Sequence, residues 1–90
     1  MVHCYKINVR GKVQGVGYRF NTQAMAHKLN LTGFVKNLPD ESVLILVEGE
    51  EENINQLIEW CYTGPRYSEV LEVKAEEEEL KGFTNFEIKR

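Results

Sequence analysis

Three glycines, Gly11, Gly15 and Gly17, crowd the segment GKVQGVGYRF at residues 11–20, and one arginine, Arg19, stands near its end. Glycine lets a backbone approach a ligand closely and turn its N–H groups inward, and the start of a helix adds partial positive charge. A guanidinium supplies permanently charged donors that match the oxygens of a phosphate. These residue types therefore point to an anion, phosphate above all. The spacing is neither that of the GxxxxGK[ST] nucleotide loop nor that of the GxGxxG dinucleotide fingerprint. A ligand-free connection would explain the glycines equally well. Arg19 weighs against that, because a cation in the first turn of a helix opposes the dipole unless an anion lies there too.

The flanking elements decide where such a site would sit. Residues 3–10, HCYKINVR, set His3, Tyr5, Ile7 and Val9 on one face and Cys4, Lys6, Asn8 and Arg10 on the other, the period of a half-buried strand. From about Arg19 to Leu29 the period becomes helical, with Tyr18, Thr22, Met25, Ala26 and Leu29 in one stripe and Asn30 as a left-handed stop. GFVKNL and SVLILVEG flank a PDE turn and read as a hairpin. Residues 50–62 return to helical spacing through Ile54, Leu57, Ile58 and Cys61, behind the acidic start Glu50–Glu52 and ahead of Gly64-Pro65. SEVLEVKA alternates as a strand, Glu76–Glu79 reads as a solvated loop, and FTNFEIKR closes with a short strand.

The order β-α-β-β-α-β defines an α+β, ferredoxin-like split sandwich: an antiparallel sheet with both helices on one face, plus a possible short C-terminal extra strand. Its first two strands run parallel with the third between them. Their axes then lie about 10 Å apart, and their C-terminal ends share one edge of the sheet. The glycine-rich loop leaves the first of those ends, and Asn37 stands near the second. A small ligand can bridge the two.

Whole-chain properties narrow the function classes. Ninety residues, 42% of them apolar and 28% charged, predict one folded domain spanning residues 1–90. No apolar run approaches a membrane span, and MVHCYKINVRGKV carries no signal-peptide pattern, so a cytosolic protein is expected. Cys4 and Cys61 lack metal-ligand spacing, and His3 and His27 have no third ligand near them in sequence, so no metal site is expected. Residues 1–37 hold six basic side chains and no acid, whereas residues 38–90 hold all 14 acids and five basic residues. The acidic half opposes a nucleic-acid coat, while the basic half suits a small anion, with Lys12 and Lys36 as a source of electrostatic attraction.

The pair GKVQGVGYR at 11–19 and GFVKN at 33–37 resembles the two signatures of the acylphosphatase family, and Gly64-Pro65 and the ending FEIKR agree with it. The resemblance spans essentially the whole chain. It implies a small hydrolase that cleaves carboxyl phosphates to a carboxylate and inorganic phosphate with no metal or other cofactor. The expected partner is the small-molecule substrate, with neither nucleic acid nor membrane, and the chain is expected to be a monomer. Carried over residue by residue, Arg19 would bind the phosphoryl group together with the backbone amides of Gly15, Val16, Gly17, Tyr18 and Arg19. Asn37 would orient the attacking water. One departure stands out: Glu41 occupies the hairpin turn where the family usually has glycine. Glutamate tolerates positive φ poorly, so another turn geometry is expected there.

The chemistry is self-consistent. A carboxylate leaving group has a pKa near ~4 and needs no protonation at neutral pH, so no general acid is required. What remains is to position an in-line water and to stabilise charge on the equatorial oxygens. Two other readings share the fold: an anion-binding module without turnover, and an RNA-binding domain. The latter expects exposed aromatics on the central strands, and SVLILVEG has none.

Overall fold

The alternating residues near the start form β1 (Val2–Lys12), and the glycine-rich loop leads into α1 (Tyr18–Lys28). The hairpin is β2 (Thr32–Asn37) and β3 (Val43–Glu50), followed by α2 (Glu51–Thr63), β4 (Glu69–Glu78) and β5 (Phe86–Lys89). The coordinates are a computed structural model that describes residues 1–90. One five-stranded sheet results, in the order β4-β1-β3-β2-β5.

The core follows from the alternation. Ile7 and Val9 of β1, Val35 of β2 and Val43, Ile45 and Val47 of β3 meet across the registers Ile7↔Ile45, Val9↔Val43 and Val35↔Ile45, all fully buried. Against them α1 turns Tyr18, Thr22 and Ala26, and α2 turns Ile54, Leu57 and Cys61. Each buried Val, Ile or Leu among them contributes roughly 1.5–3 kcal/mol by leaving water. Of the helical stripes expected from spacing, Tyr18, Thr22, Ala26, Ile54, Leu57 and Cys61 are buried, while Met25, Leu29 and Ile58 are partly buried against the core. Asn30 takes a left-handed φ of 57° after α1, and Gly64 ends α2.

Three expectations need correction. The sheet is mixed, because β5 pairs parallel to β2 through Gly33↔Phe86 and Val35↔Ile88. The acidic run is not simply a loop: Glu76, Glu77 and Glu78 belong to β4 and pair with Lys6, Tyr5 and Cys4 of β1. Ion pairs from Glu76 to Lys6 (3.4 Å) and from Glu77 to His3 (2.8 Å) accompany the pairing and offset the charge of this edge strand. Third, Glu41 adopts φ 72°, so the turn keeps left-handed geometry despite its glutamate.

β4 and β5 lie at opposite edges of the sheet, so the chain between them must cross it. The crossing runs over the face opposite the core, where Glu48 of β3 receives hydrogen bonds from three consecutive amides, those of Lys81, Gly82 and Phe83. Phe83 also meets the ring of Phe34 edge-on at 5.9 Å. This cover buries Cys4, Leu46 and Glu48 on the sheet's second face. It explains why β3 reads as a continuous apolar run rather than as an alternation.

Candidate active site

β1 hands the chain to α1 through a loop anchored by Val13, which is 1% exposed. Gly15 (φ 75°) and Gly17 (φ 78°) both take left-handed conformations. Such geometry costs an ordinary residue about 1–2 kcal/mol, which accounts for glycine at both positions. Gly17 is the N-cap of α1, with no side chain capping the helix and no acidic residue in its first turn. The amides of Gly15, Val16, Gly17, Tyr18 and Arg19 find no acceptor within the protein. Five donors at the positive end of a helix are therefore left without a partner in the protein.

Tyr18 locks the junction. Its ring is buried against Trp60 (centroids 5.4 Å apart), and its hydroxyl donates to the carbonyl of Cys61 at 2.9 Å. Burial first, then the nearby Cys61, pushes the phenol far above its ordinary pKa. It stays neutral and serves as structure rather than as an acid or base.

A cavity of about 190 Å³ opens at this junction, lined by Val13, Gly15, Gly17, Tyr18, Arg19, Phe20, Asn37 and Ile88. It brings together Arg19 and Asn37, which are 18 positions apart in the chain, as the parallel arrangement of β1 and β2 requires. The side chain of Val16 is the exception among the expected loop residues: it packs against the core, leaving only its amide to the site. The Arg19 guanidinium donates through Nη1 to the carbonyl of Lys89 at 3.0 Å. β5 thus holds the arginine beside the cavity despite the unfavourable helix dipole. Asn37 Oδ1 is fully buried and has no hydrogen-bond partner in the protein. An unsatisfied buried acceptor costs roughly 1–3 kcal/mol, and a bound water at the cavity would satisfy it.

Asn37 is held from the far side by a network that sequence reasoning missed. Gln14 Nε2 donates to the carbonyls of Leu38 and Ser42, both at 2.9 Å. The glycine-rich loop is thereby tied directly to the turn after Asn37. Within that turn Leu38 and Ser42 share a backbone bond of 2.9 Å. Asp40 accepts from the Ser42 amide (3.0 Å) and hydroxyl (2.5 Å), and Asn8 donates to Ser42 Oγ at 3.1 Å. The Ser42 hydroxyl and amide hold the Asp40 carboxyl below its usual pKa. This network stabilises the left-handed Glu41. The available sequence signal was a two-donor glutamine between a buried valine and two glycines, but its acceptors are carbonyls, which carry no residue-type signature. The same holds for the Lys89 carbonyl under Arg19.

The geometry defines a class: a small α+β protein whose helix N-terminus, arginine and buried asparagine face one anion-sized cavity. Comparison with known proteins gives the family. The acylphosphatase family model matches residues 5–88. The chain is 49% identical to an acylphosphatase of Acaryochloris marina over 87 residues, covering 97% of this chain and 94% of that one. Among solved structures, the acylphosphatase of Bacillus subtilis superposes with a TM-score of 0.95 at 38% identity, covering both chains completely. That of Coxiella burnetii gives 0.95 at 36% identity, covering 98% of this chain and 93% of that one. The chain belongs to the acylphosphatase family. No helix is long and apolar enough to cross a membrane, and no cluster of three or more His, Cys, Asp or Glu side chains is placed to hold a metal ion.

Proposed function

We propose that the protein hydrolyses acyl phosphates to a carboxylate and inorganic phosphate by in-line attack of water, with Arg19 and Asn37 as its catalytic residues. Its family membership supports the reaction class. One observation supports the assignment of the site: a run of five amides without acceptors, four of whose residues line the cavity, lies beside a buried asparagine oxygen without a donor that lines the same cavity.

The phosphoryl group lies on the amides of Gly15, Val16, Gly17, Tyr18 and Arg19, with the Arg19 guanidinium on its equatorial oxygens. The Lys89 carbonyl holds that guanidinium in place, which limits the reorganisation needed as charge redistributes in the transition state. Asn37 presents its side-chain oxygen to the attacking water, opposite the leaving carboxylate. An amide is too weak a base to take the proton. Tyr18 and Arg19 are the only titratable side chains lining the cavity, and neither serves as a base at neutral pH. The proton therefore passes to a phosphoryl oxygen of the substrate. The leaving group departs as a carboxylate and needs no acid.

The protein acts as a monomer on a small-molecule substrate and uses no metal. The cytoplasm suits its two free cysteines, both buried. Burial pushes the Cys61 thiol up to about 12, which keeps it protonated and unreactive.

The test is turnover of acetyl phosphate with chelator present, measured across pH with inorganic phosphate as inhibitor. The expected result is chelator-insensitive hydrolysis, competitive inhibition by phosphate, and a kcat without an essential protein base near neutrality. Phosphate binding without turnover would identify an anion-binding module instead, and loss of activity in chelator would refute the metal-free mechanism.

A further inference from the structure

The cavity's outer rim has a chemistry of its own. Phe20 is 68% exposed in the first turn of α1, and Ile88 is 37% exposed on β5, yet both line the cavity. Core packing does not explain Phe20. The buried stripe of α1 runs through Tyr18, Thr22 and Ala26, and two residues past Tyr18 is a rotation of about 200°, the opposite side of the helix. Ile88 shares its face of β5 with the buried Phe86, and it pairs in register with Val35, two residues before Asn37. Two large apolar side chains from separate elements thus converge at the mouth of a phosphate-sized site. The backbone carbonyl that holds Arg19 follows directly after one of them. The other strongly exposed apolar residues, Leu71 on β4 among them, lie outside this cavity.

Charge points the same way. Arg19 is the only ionic side chain lining the cavity, and on the phosphate-cradle reading the phosphoryl group takes it up. An acyl group carrying its own negative charge meets no second cation there. An apolar acyl group sheds water against Phe20 and Ile88.

We propose that Phe20 and Ile88 form the acyl-binding lip of the site, selecting acyl phosphates whose acyl group is apolar and uncharged, aryl or branched alkyl. The inference rests on the phosphate-cradle reading above and adds the other half of the substrate.

The experiment compares kcat/KM for benzoyl phosphate and acetyl phosphate in the wild type, Phe20→Ser, the double variant Phe20→Ser/Ile88→Thr, and Leu71→Ser as an exposed apolar control. Taking the ratio within each protein and comparing proteins cancels the different intrinsic reactivities of the two mixed anhydrides. The expected result is a ratio that falls about threefold in Phe20→Ser and about tenfold in the double variant, chiefly through KM for benzoyl phosphate, with no change in Leu71→Ser. Inorganic phosphate inhibition, measured in parallel, reports the cradle alone. An unchanged ratio in the double variant overturns the lip. Equal losses for both substrates with weakened phosphate inhibition also overturn it, since the two side chains would then serve the cradle. Failure of the underlying reading looks different: the wild type would hydrolyse neither substrate.

Discussion

Two runs of consecutive backbone amides in this molecule meet opposite fates. Those of residues 81–83 converge on the carboxylate of Glu48, which is buried on the second face of the sheet. Those of residues 15–19 converge on no protein group at all. The first run has an anion built into the chain, and the second lies beside a cavity lined by Gly15, Gly17, Tyr18 and Arg19. The buried side chains mirror this: Glu48 has its acceptors engaged, whereas Asn37 Oδ1 has none. Where donors and acceptor belong to the same chain, the arrangement locks the fold. Where the acceptor is missing, the unsatisfied groups mark the place where we propose that an anion binds.

Breaking each side of this comparison gives distinct signatures. The largest effect belongs to Arg19→Gln, which removes a charged donor from the developing charge. kcat/KM for an acyl phosphate should fall on the order of 10³-fold and phosphate inhibition should weaken, while the urea midpoint of unfolding barely moves. Next comes Asn37→Ala, expected to lower kcat on the order of 10²-fold and largely to spare phosphate binding, because the water and not the phosphoryl group loses its partner. Steady-state kinetics with phosphate as inhibitor separates these two variants.

On the filled side the expected losses are in stability. Glu48→Gln should destabilise the fold by about 2 kcal/mol, read by urea denaturation, with acyl phosphate turnover retained in the folded protein. The pH dependence has a definite sign. Burial pushes the Glu48 carboxyl up, but the amides of Lys81, Phe83 and Gly82 and the Cys4 thiol outweigh it, and the net shift is downward. A lowered folded-state pKa means that stabilisation is complete above the ordinary carboxylate range and is lost as pH falls through the folded value. The wild type should therefore lose stability on acidification below about pH 4.5, and Glu48→Gln should lose less over the same window.

The smallest predicted effect is a gain. Glu41 is exposed at φ 72°, and Glu41→Gly should relieve that strain and raise stability by about 1 kcal/mol, measured by thermal or urea unfolding. Activity should hold, because Gln14 and Ser42 already hold the turn behind Asn37.

What was legible in the sequence divides along the same line. That Arg19 and Asn37 would meet at one cavity was legible because strand order is a property of periodicity, while their proposed roles came from the family resemblance. The split βαββαβ order, both helical stripes and the left-handed Asn30 were legible for the same reason. The filled amide run was not, because backbone donors have no residue-type signature and Glu48 reads as one polar residue ending an apolar strand. Glu76–Glu78 looked like solvated charge because the partners that make them a strand, Lys6 and His3, lie about 70 residues away. The parallel pairing of β5 was hidden similarly: four residues of alternating type do not specify the direction of their neighbour.

In the proposed mechanism the amides of residues 15–19 receive the phosphoryl group. Titration of the ¹⁵N-labelled protein with inorganic phosphate tests it directly. The expected result is saturable shifts concentrated in the backbone amides of Gly15, Val16, Gly17, Tyr18 and Arg19, with a much weaker affinity in Arg19→Gln and no comparable shifts in Lys81, Gly82 and Phe83. Saturable binding that leaves the loop amides unmoved, or that survives Arg19→Gln unchanged, would contradict it.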